Sequence, residues 1–368
     1  MSTSVERSLA TADLSRRDTL LRVARNERQF LLLVGLAFFL AGAFAGVPDV
    51  ARWIGFALAA YSTVANDSIQ TVGTFIVSNE KQRWWVLWLF IGGVFLATVT
   101  YGWVSASGDV SFGRLASKGF AEAPTQFSFL QVAAPVFLLI LTRLRMPVST
   151  TFLILSCFAT DPEGVAEVLE KSLYGYGIAF LFGALAFGLT ARWVARAAHT
   201  PASRWWGPAQ WLSTGVLWVS WVQQDMANLA VYLPRQLGLW EFAAFAGTVF
   251  FGLGVLFYLR GDRIQRIVSE KSSVVDIRAA TLVDIVYAVI LFGFKEVSSI
   301  PMSTTWVFIG LLAGRELAIT LLTRSDRSFQ QGLRLAGRDV LYATIGLIVS
   351  LGLAVAANPV MREAVFGR

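Results

Sequence analysis

Long apolar blocks run through nearly the whole chain, and they restrict its possible folds more than any other feature. Residues 29–47 and 339–357 each approach the roughly 20 apolar residues that a helix needs to cross about 30 Å of hydrocarbon. Backbone polar groups in lipid must be satisfied within the segment, so each block predicts a helix. The other blocks occupy residues 51–66, 84–104, 128–142, 172–191, 211–222, 240–259, 279–294 and 301–322. The sequence therefore predicts an all-α, polytopic protein of the cell (inner) membrane, multi-pass, with about 10–12 membrane segments.

The balance of charge agrees with a membrane location. Only 15% of the residues are charged and 55% are hydrophobic, against about 25% charged in a soluble domain. The formal net charge of +7 comes from arginines between the apolar blocks, which is typical of cytoplasmic loops that touch anionic lipid. We expect membrane lipid as a partner and no nucleic acid. The tail 1–28 is predicted to be cytoplasmic, because its arginines lie next to the first apolar block. It is too long and too acidic for a secretory signal.

Some kinds of chemistry are nearly excluded by missing residue types. The chain has one cysteine, Cys157, and one histidine, His199. An internal disulfide or a cysteine metal site is therefore impossible, and histidine–metal or Ser–His catalysis has little support. We predict that the chain is not an enzyme, and that it has no cofactor unless it binds Na+.

Two short motifs occur twice, in the same order. Pro147-Val-Ser-Thr-Thr151 recurs as Pro301-Met-Ser-Thr-Thr305, and an aspartate within an apolar block precedes each copy. The distance from aspartate to serine is 82 residues in the first copy (67 to 149) and 78 in the second (225 to 303). This repetition predicts two related halves. The predicted organisation is a tail 1–28, an additional transmembrane helix 29–48, repeat 1 at 49–196, an inter-repeat loop 197–208, and repeat 2 with the C-terminal helix at 209–368.

Each aspartate lies between two carboxamides, one adjacent to it and one three residues along the helix. The copies are Asn66-Asp67-x-x-Gln70 and Gln224-Asp225-x-x-Asn228. A carboxylate in the bilayer interior costs at least about 2.5–3.5 kcal/mol, so it needs a cation, a proton or a basic residue nearby. We interpret both motifs as cation-binding. A structural ion pair is the alternative for the acids, and interhelical hydrogen bonding is the alternative for the amides.

The Pro-x-Ser-Thr-Thr copies predict a site of the opposite sign. Proline favours the first helical position, and the next residues carry N–H groups without partners in the helix. A helix that starts at Pro147 or Pro301 would aim these donors and three hydroxyls at one point, which suits an oxyanion. The candidate anion ligands are Ser149, Thr150, Thr151, Ser303, Thr304 and Thr305. Alternatively, the hydroxyls bond to their own helix backbone, but the duplication after proline favours a site.

Acids beside an anion would repel it unless a cation accompanies the anion. Duplicated halves with interrupted helices that meet at the midplane are typical of secondary transporters. The residues therefore predict cation-coupled transport of an oxyanion.

At these residues the chain resembles the inorganic phosphate transporter (PiT) family, which includes sodium- or proton-coupled phosphate symporters and some sulfate permeases. Ala65-Asn66-Asp67 and Asp225-Met-Ala-Asn228 are similar to its paired acid motifs, and both Pro-x-Ser-Thr-Thr segments match. Gln131 and Asp284 lie where the family tends to have Gln or Glu. The resemblance implies two inverted repeats with broken or re-entrant helices. The departures are Val64 and Val222 for glycine, Gln70 for asparagine, Gln223-Gln224 for Ala-Asn, and Phe152 and Trp306 for histidine.

The resemblance also implies phosphate symport with Na+ or H+, with Na+ held at Asp67 and Asp225. Sulfate or thiosulfate permeation on the same fold is an alternative, and so is a non-transporting sensor or scaffold that lost coupling. Gln131, Asp284 and Arg145 are further candidates for the site. A structural charge cluster is the competing interpretation of Asp284, and interfacial snorkelling that of Arg145. The expected partners are an inorganic oxyanion and its coupling cation. The sequence leaves open whether the chain forms a homodimer.

Overall fold

The computed structural model of the chain describes residues 27–116, 119–144, 146–197, 200–259, 276–297, 301–322 and 329–367. Regular structure in these residues is helical throughout, as predicted. The α-helices are α1 (Arg28–Phe44), α2 (Pro48–Thr71), α3 (Gly73–Ser78), α4 (Trp84–Ser105), α5 (Phe129–Arg143), α6 (Thr150–Leu153), α7 (Pro162–Ala197), α8 (Trp206–Ala230), α9 (Leu239–Tyr258), α10 (Ile277–Val297), α11 (Thr304–Leu322), α12 (Phe329–Ala357) and α13 (Pro359–Phe366). Two 3₁₀ helices, Arg114–Ala116 and Leu155–Phe158, complete them.

Six of the described helices are long and apolar enough to cross a membrane, which makes this a multi-pass membrane protein. The spans are Trp84–Ser105, Pro162–Thr190, Leu239–Tyr258, Ile277–Phe294, Thr304–Leu322 and Gly337–Ala357. Two shorter apolar helices, α1 and α5, lie below the length for a span. The helices that carry the acid motifs, α2 and α8, are long enough but are not among the six, since polar residues dilute their hydropathy.

The same helix pairing occurs in both halves of the chain. The first acid-motif helix, α2, packs against α5, which precedes the first Pro-x-Ser-Thr-Thr segment. In the second half α8 packs against α10 in the same sequence relation. The helix that follows each acid motif, α4 in the first half and α9 in the second, packs against its counterpart. This pairing is what duplicated halves would produce. The inverted orientation of the halves, their boundaries and the count of 10–12 segments stay predictions.

Helices are interrupted next to the motifs. The helix that carries Asp67 ends at Thr71, and a new short helix begins at Gly73. The first Pro-x-Ser-Thr-Thr segment leads into only four α-helical residues, followed by the 3₁₀ helix Leu155–Phe158. The second leads into the 19-residue α11. Broken helices were expected here, because irregular backbone at membrane depth is tolerated where protein surrounds it.

Helices α7 and α11 pack at backbone contact because glycine removes the side chain between them. A Cβ at Gly314 would lie 2.0 Å from the Phe180 carbonyl oxygen, and one at Gly310 would lie 2.3 Å from that of Tyr176. This spacing is a Gly-x-x-x-Gly pattern, which allows two membrane helices to approach closely.

We expect Gly314→Ala to destabilise the protein by about 1–3 kcal/mol, because the added methyl must force the two helices apart. Gly177→Ala on α7 is the matched control, since its Cβ would meet nothing within 4 Å. Thermal unfolding of both variants in detergent tests this. A Gly314→Ala variant as stable as Gly177→Ala would contradict the proposed close contact.

Candidate functional site

The two Pro-x-Ser-Thr-Thr segments begin helices at threonine, so the prediction that proline is the first helical residue was wrong. The helices start at Thr150 and Thr304, and the prolines lie in the non-helical chain before them. The reason is the serine, a favoured N-cap. The Ser149 hydroxyl accepts the N–H of Phe152 at 3.2 Å, and the Ser303 hydroxyl accepts that of Trp306 at the same distance.

The starts of these two helices touch each other although 154 residues separate them, from 150 to 304. The Thr151 hydroxyl donates to the Met302 carbonyl oxygen at 3.2 Å. The Thr305 hydroxyl donates to the Val148 carbonyl oxygen at 3.3 Å. The non-helical segment of each copy therefore accepts a hydrogen bond from the last threonine of the other copy. We call these two segments, residues 147–151 and 301–305, the paired tips.

The carboxylate of Asp67 is hydrogen-bonded to side chains of its own half of the chain. Its side chain is fully buried. Its carboxylate accepts from Asn66 Nδ2 at 2.7 Å and from the Thr150 hydroxyl at 3.0 Å, one bond on each oxygen. Asn66 Nδ2 also donates to the Val148 carbonyl at 3.0 Å, and Asn66 Oδ1 accepts from the Thr142 hydroxyl at 2.9 Å. The Asp67 side therefore has both carboxylate oxygens and the neighbouring amide oxygen engaged.

Asp225 occupies the matching place in the second half, and it is 1% exposed. Asn228 Nδ2 donates to its Oδ1 at 2.8 Å, and the Thr304 side chain lies beside the carboxylate. The two carboxylates, Asp67 and Asp225, are close enough to repel each other through their charges. Two buried acids in this relation need positive charge nearby.

The second amide of each acid motif reaches across to the other half. Gln70 Nε2 donates to the Thr305 hydroxyl at 3.2 Å, and Asn228 Nδ2 donates to the Thr151 hydroxyl at 3.3 Å. Gln224 Nε2 instead donates to the Leu291 carbonyl at 3.0 Å. The structure therefore brings both tips and both acid motifs together through hydrogen bonds of Asn66, Asp67, Gln70 and Asn228, whereas the side chain of Gln224 bonds elsewhere.

Four acceptor oxygens of this cluster have no hydrogen-bond donor among the described residues, although each is buried. They are Gln70 Oε1, Gln224 Oε1, Asp225 Oδ2 and Asn228 Oδ1. Buried polar atoms are nearly always paired, so an unpaired set in one place needs an explanation. Carboxylate and amide oxygens are the ligands that hard cations prefer.

A buried arginine lies near Asp225 and a buried lysine lies near that arginine, and sequence analysis identified neither. Arg114 is 1% exposed; its Nε donates to the Gln223 carbonyl at 2.8 Å, and its charge acts on Asp225. Lys171 interacts electrostatically with Arg114. Its neighbour Ser172 accepts the Ser303 N–H at 2.8 Å, which places Lys171 close to the second tip. Arg114 lies in the connector between α4 and α5, and nothing in the sequence around it indicated a contact with Gln223.

The three further candidates have different outcomes. Gln131 is used in helix capping: its Oε1 accepts the Ser128 N–H at 2.8 Å and its Nε2 donates to the Cys157 carbonyl at 2.9 Å. Asp284 is buried and accepts from the Thr74 and Thr214 hydroxyls at 3.0 and 2.5 Å, so hydroxyls surround it. Arg145 lies outside the described residues.

Comparison with known proteins supports the fold. No family model and no curated protein matches this sequence. The fold is similar to that of a solved structure described as "The sodium-dependent phosphate transporter", with a TM-score of 0.55 and 18% sequence identity. The match covers 86% of this chain and 98% of the other. The all-helical membrane fold expected from the resemblance of the motifs is therefore confirmed, while the inverted arrangement of its repeats stays a prediction.

Proposed function

We propose that this chain is a secondary transporter that moves a tetrahedral oxyanion, phosphate first and sulfate second, by symport with Na+ or H+. The observation that carries the proposal is the meeting of the paired tips with both buried acids. The fold similarity to a sodium-dependent phosphate transporter supports the same class of substrate. Duplicated elements that meet within the membrane and carry a binding site are typical of such transporters.

The anion would bind at the paired tips. The first N–H groups of α11, at Thr304 and Thr305, have no carbonyl partner within their helix, and the helix dipole adds positive potential there. The Ser149 and Ser303 hydroxyls accept the cap hydrogen bonds and keep their own protons for donation to a ligand. In this proposal the anion is held by the predicted set of Ser149, Thr150, Thr151, Ser303, Thr304 and Thr305, and the contact between the two tips supports it.

In the described conformation, the tip threonine hydroxyls of Thr150, Thr151 and Thr305 already donate their protons to acceptors within the protein. Those of Thr151 and Thr305 donate across the tips, and that of Thr150 donates to Asp67. An anion that binds here would take over some of these donors and loosen the contact between the halves. Since all tip hydroxyls are buried, entry of the anion requires the halves to move apart, which is the rocking motion of alternating access.

The cation would bind at the acid motifs. Asp67 and Asp225 carry the negative charge, and the amides Asn66, Gln70, Gln224 and Asn228 are positioned around them. A cation here lies next to the anion at the tips, so each ligand lowers the electrostatic cost of the other. This mutual stabilisation is the physical basis of coupling.

Proteoliposomes that contain the purified chain are expected to accumulate radiolabelled phosphate when an inward Na+ or H+ gradient is imposed. Gradients of each cation are applied separately, and labelled sulfate is tested in parallel. Liposomes without protein and liposomes with the gradient collapsed are the controls. Binding of phosphate by calorimetry without any uptake would favour a sensor or scaffold instead, and absence of both binding and uptake for both anions would reject the assignment.

A further inference from the structure

We propose that Arg114 and Lys171 select the charge of the anion, because both hold positive charge near the second tip and thereby favour a doubly charged oxyanion over a singly charged one. The substrate class is then sulfate or the dianion of phosphate. This inference rests on the proposed function. It adds a property that the tips themselves do not supply, since a helix start binds oxyanions of either charge.

Both cationic side chains are buried in a membrane protein. Arg114 is 1% exposed and Lys171 is 9% exposed, and Lys171 lies within the span Pro162–Thr190. Charged side chains at membrane depth are costly and usually mark a substrate or ion pathway. The two positive charges also repel each other, because the charge of Arg114 acts on Lys171. Two like charges that are held together in the interior favour a negatively charged ligand nearby.

Lys171 lies on the face of α7 that packs against the second tip. The hydroxyl of its neighbour Ser172 accepts the Ser303 N–H at 2.8 Å. One turn further along α7, a Cβ at Gly175 would lie only 3.8 Å from the Met302 sulfur. Residues four apart share a helix face, so Lys171 is on the same face as Gly175. Helix α7 therefore brings the charge of Lys171 to the second tip.

Arg114 reaches the same region from the connector between α4 and α5. A tight turn precedes it: the Asp109 carboxylate accepts the Gly113 N–H at 2.8 Å, and Gly113 has a positive φ of 76°. The Arg114 side chain then points inwards, and its Nε donates to the Gln223 carbonyl at 2.8 Å. Gln223 comes two residues before Asp225 on α8. The guanidinium is thus held at the acid motif of the second half.

Two separate routes therefore connect the cationic pair with the second tip. Through α8, the charge of Arg114 acts on the Asp225 carboxylate, and the Thr304 side chain lies beside that carboxylate. Through α7, Lys171 lies on the face that contacts the tip, and it interacts electrostatically with Arg114. An anion at the paired tips would lie in the field of both positive charges.

The charge of the anion decides how much these residues contribute. The Coulomb energy between a fixed charge and an anion is proportional to the charge of the anion. Asp67, Asp225 and the coupling cation act on the same anion, but electrostatic contributions add. Removal of Lys171 therefore changes the binding free energy of a dianion twice as much as that of a monoanion of similar shape. Loss of a purely structural contact would weaken both anions by the same factor.

Anion binding to the purified full chain in nanodiscs tests the inference, measured by calorimetry at one fixed Na+ concentration. Sulfate and methanesulfonate are the probes, because both present sulfonate oxygens but carry two and one negative charges. The wild-type chain is expected to bind sulfate more tightly. Lys171→Met should weaken sulfate binding about tenfold and methanesulfonate binding about threefold, and Arg114→Gln should shift the two affinities in the same direction.

Lys171→Arg and Arg114→Lys keep the positive charges, so they should keep the preference for sulfate. Lys81→Met is the matched control, because Lys81 is exposed to solvent; it should leave both affinities unchanged. Equal losses for the two anions in Lys171→Met and Arg114→Gln would overturn the inference. So would unchanged sulfate binding in both variants, or a wild-type chain that binds methanesulfonate as tightly as sulfate.

The test also separates this inference from the proposed transport. Preferential binding of sulfate that depends on the two charges, without uptake into proteoliposomes, would support the charge selection and reject transport. Uptake driven by a cation gradient, together with equal losses for both anions in the two variants, would support transport and reject the charge selection.

Discussion

Phosphate uptake by an Asp67→Asn variant is expected to fall about 100-fold or more below that of the wild-type chain. The substitution keeps the shape of the side chain but replaces one acceptor oxygen with an NH₂ group. Either Asn66 Nδ2 or the Thr150 hydroxyl then faces a donor in place of an acceptor. The first tip loses its anchor, and the site loses a negative charge that balances the cation. The measurement is the initial rate of labelled phosphate uptake in proteoliposomes at matched protein density.

Asp49→Asn is the control for this variant. Asp49 lies on the same helix as Asp67, and its side chain is 90% exposed, 3.6 Å from Arg52. A surface pair of this kind contributes little to stability, so uptake should stay within about twofold of the wild type. Uptake by Asp67→Asn that matches Asp49→Asn would show that the buried acid has no part in transport.

The helices and the membership of the site could be predicted from the sequence because both depend on short-range patterns. Apolar blocks of about 20 residues specify membrane helices wherever they lie in a fold. The duplication of the acid and Pro-x-Ser-Thr-Thr motifs indicated that two distant pairs of segments share one place. The contact of Thr151 with Met302 and that of Thr305 with Val148 agree with this interpretation.

The unequal roles of the two acid motifs could not be predicted. Asn66 and Asn228 are both amides beside a buried acid, and only the three-dimensional partners decide which atom points inwards. Thr142 takes the oxygen of Asn66, while the oxygen of Asn228 has no donor among the described residues. Arg114 was missed for the same reason. Its contact with Gln223 joins residues that are far apart in the sequence, so it depends on how the helices pack.

At the start of each tip helix, the preference of serine for the N-cap overrides the preference of proline for the first helical position. Proline at the first helical position and serine at the N-cap are both common, and they compete when only one residue separates them. The serine prevails in both copies, since its hydroxyl pairs with the N–H three residues on. As a result the Val148 and Met302 carbonyls stay outside the helices and become acceptors for the opposite half.

The crossed contacts of the paired tips lead to the second large effect. Thr151→Val and Thr305→Val each remove a hydroxyl that donates to the other tip and accepts an amide from an acid motif. Thr151→Val removes the donor to the Met302 carbonyl, and Thr305→Val removes the acceptor of the Gln70 amide, at a cost of about 1–3 kcal/mol for each buried group that loses its partner. We expect each to lower phosphate uptake by about 10-fold to 100-fold. Thr98→Val is the control, because Thr98 only bonds to the Val94 carbonyl of its own helix.

The double variant Thr151→Val/Thr305→Val distinguishes a shared joint from two separate contacts. The two hydroxyls lie in one network that holds both tips together, so their effects should not add. Once the first contact is lost the tips can separate, and removal of the second should cost much less than it does alone. The uptake of the double variant is therefore expected to be close to that of whichever single variant takes up less phosphate. If the two losses multiply, the tips act independently, and the rocking of one half against the other about this contact must be abandoned.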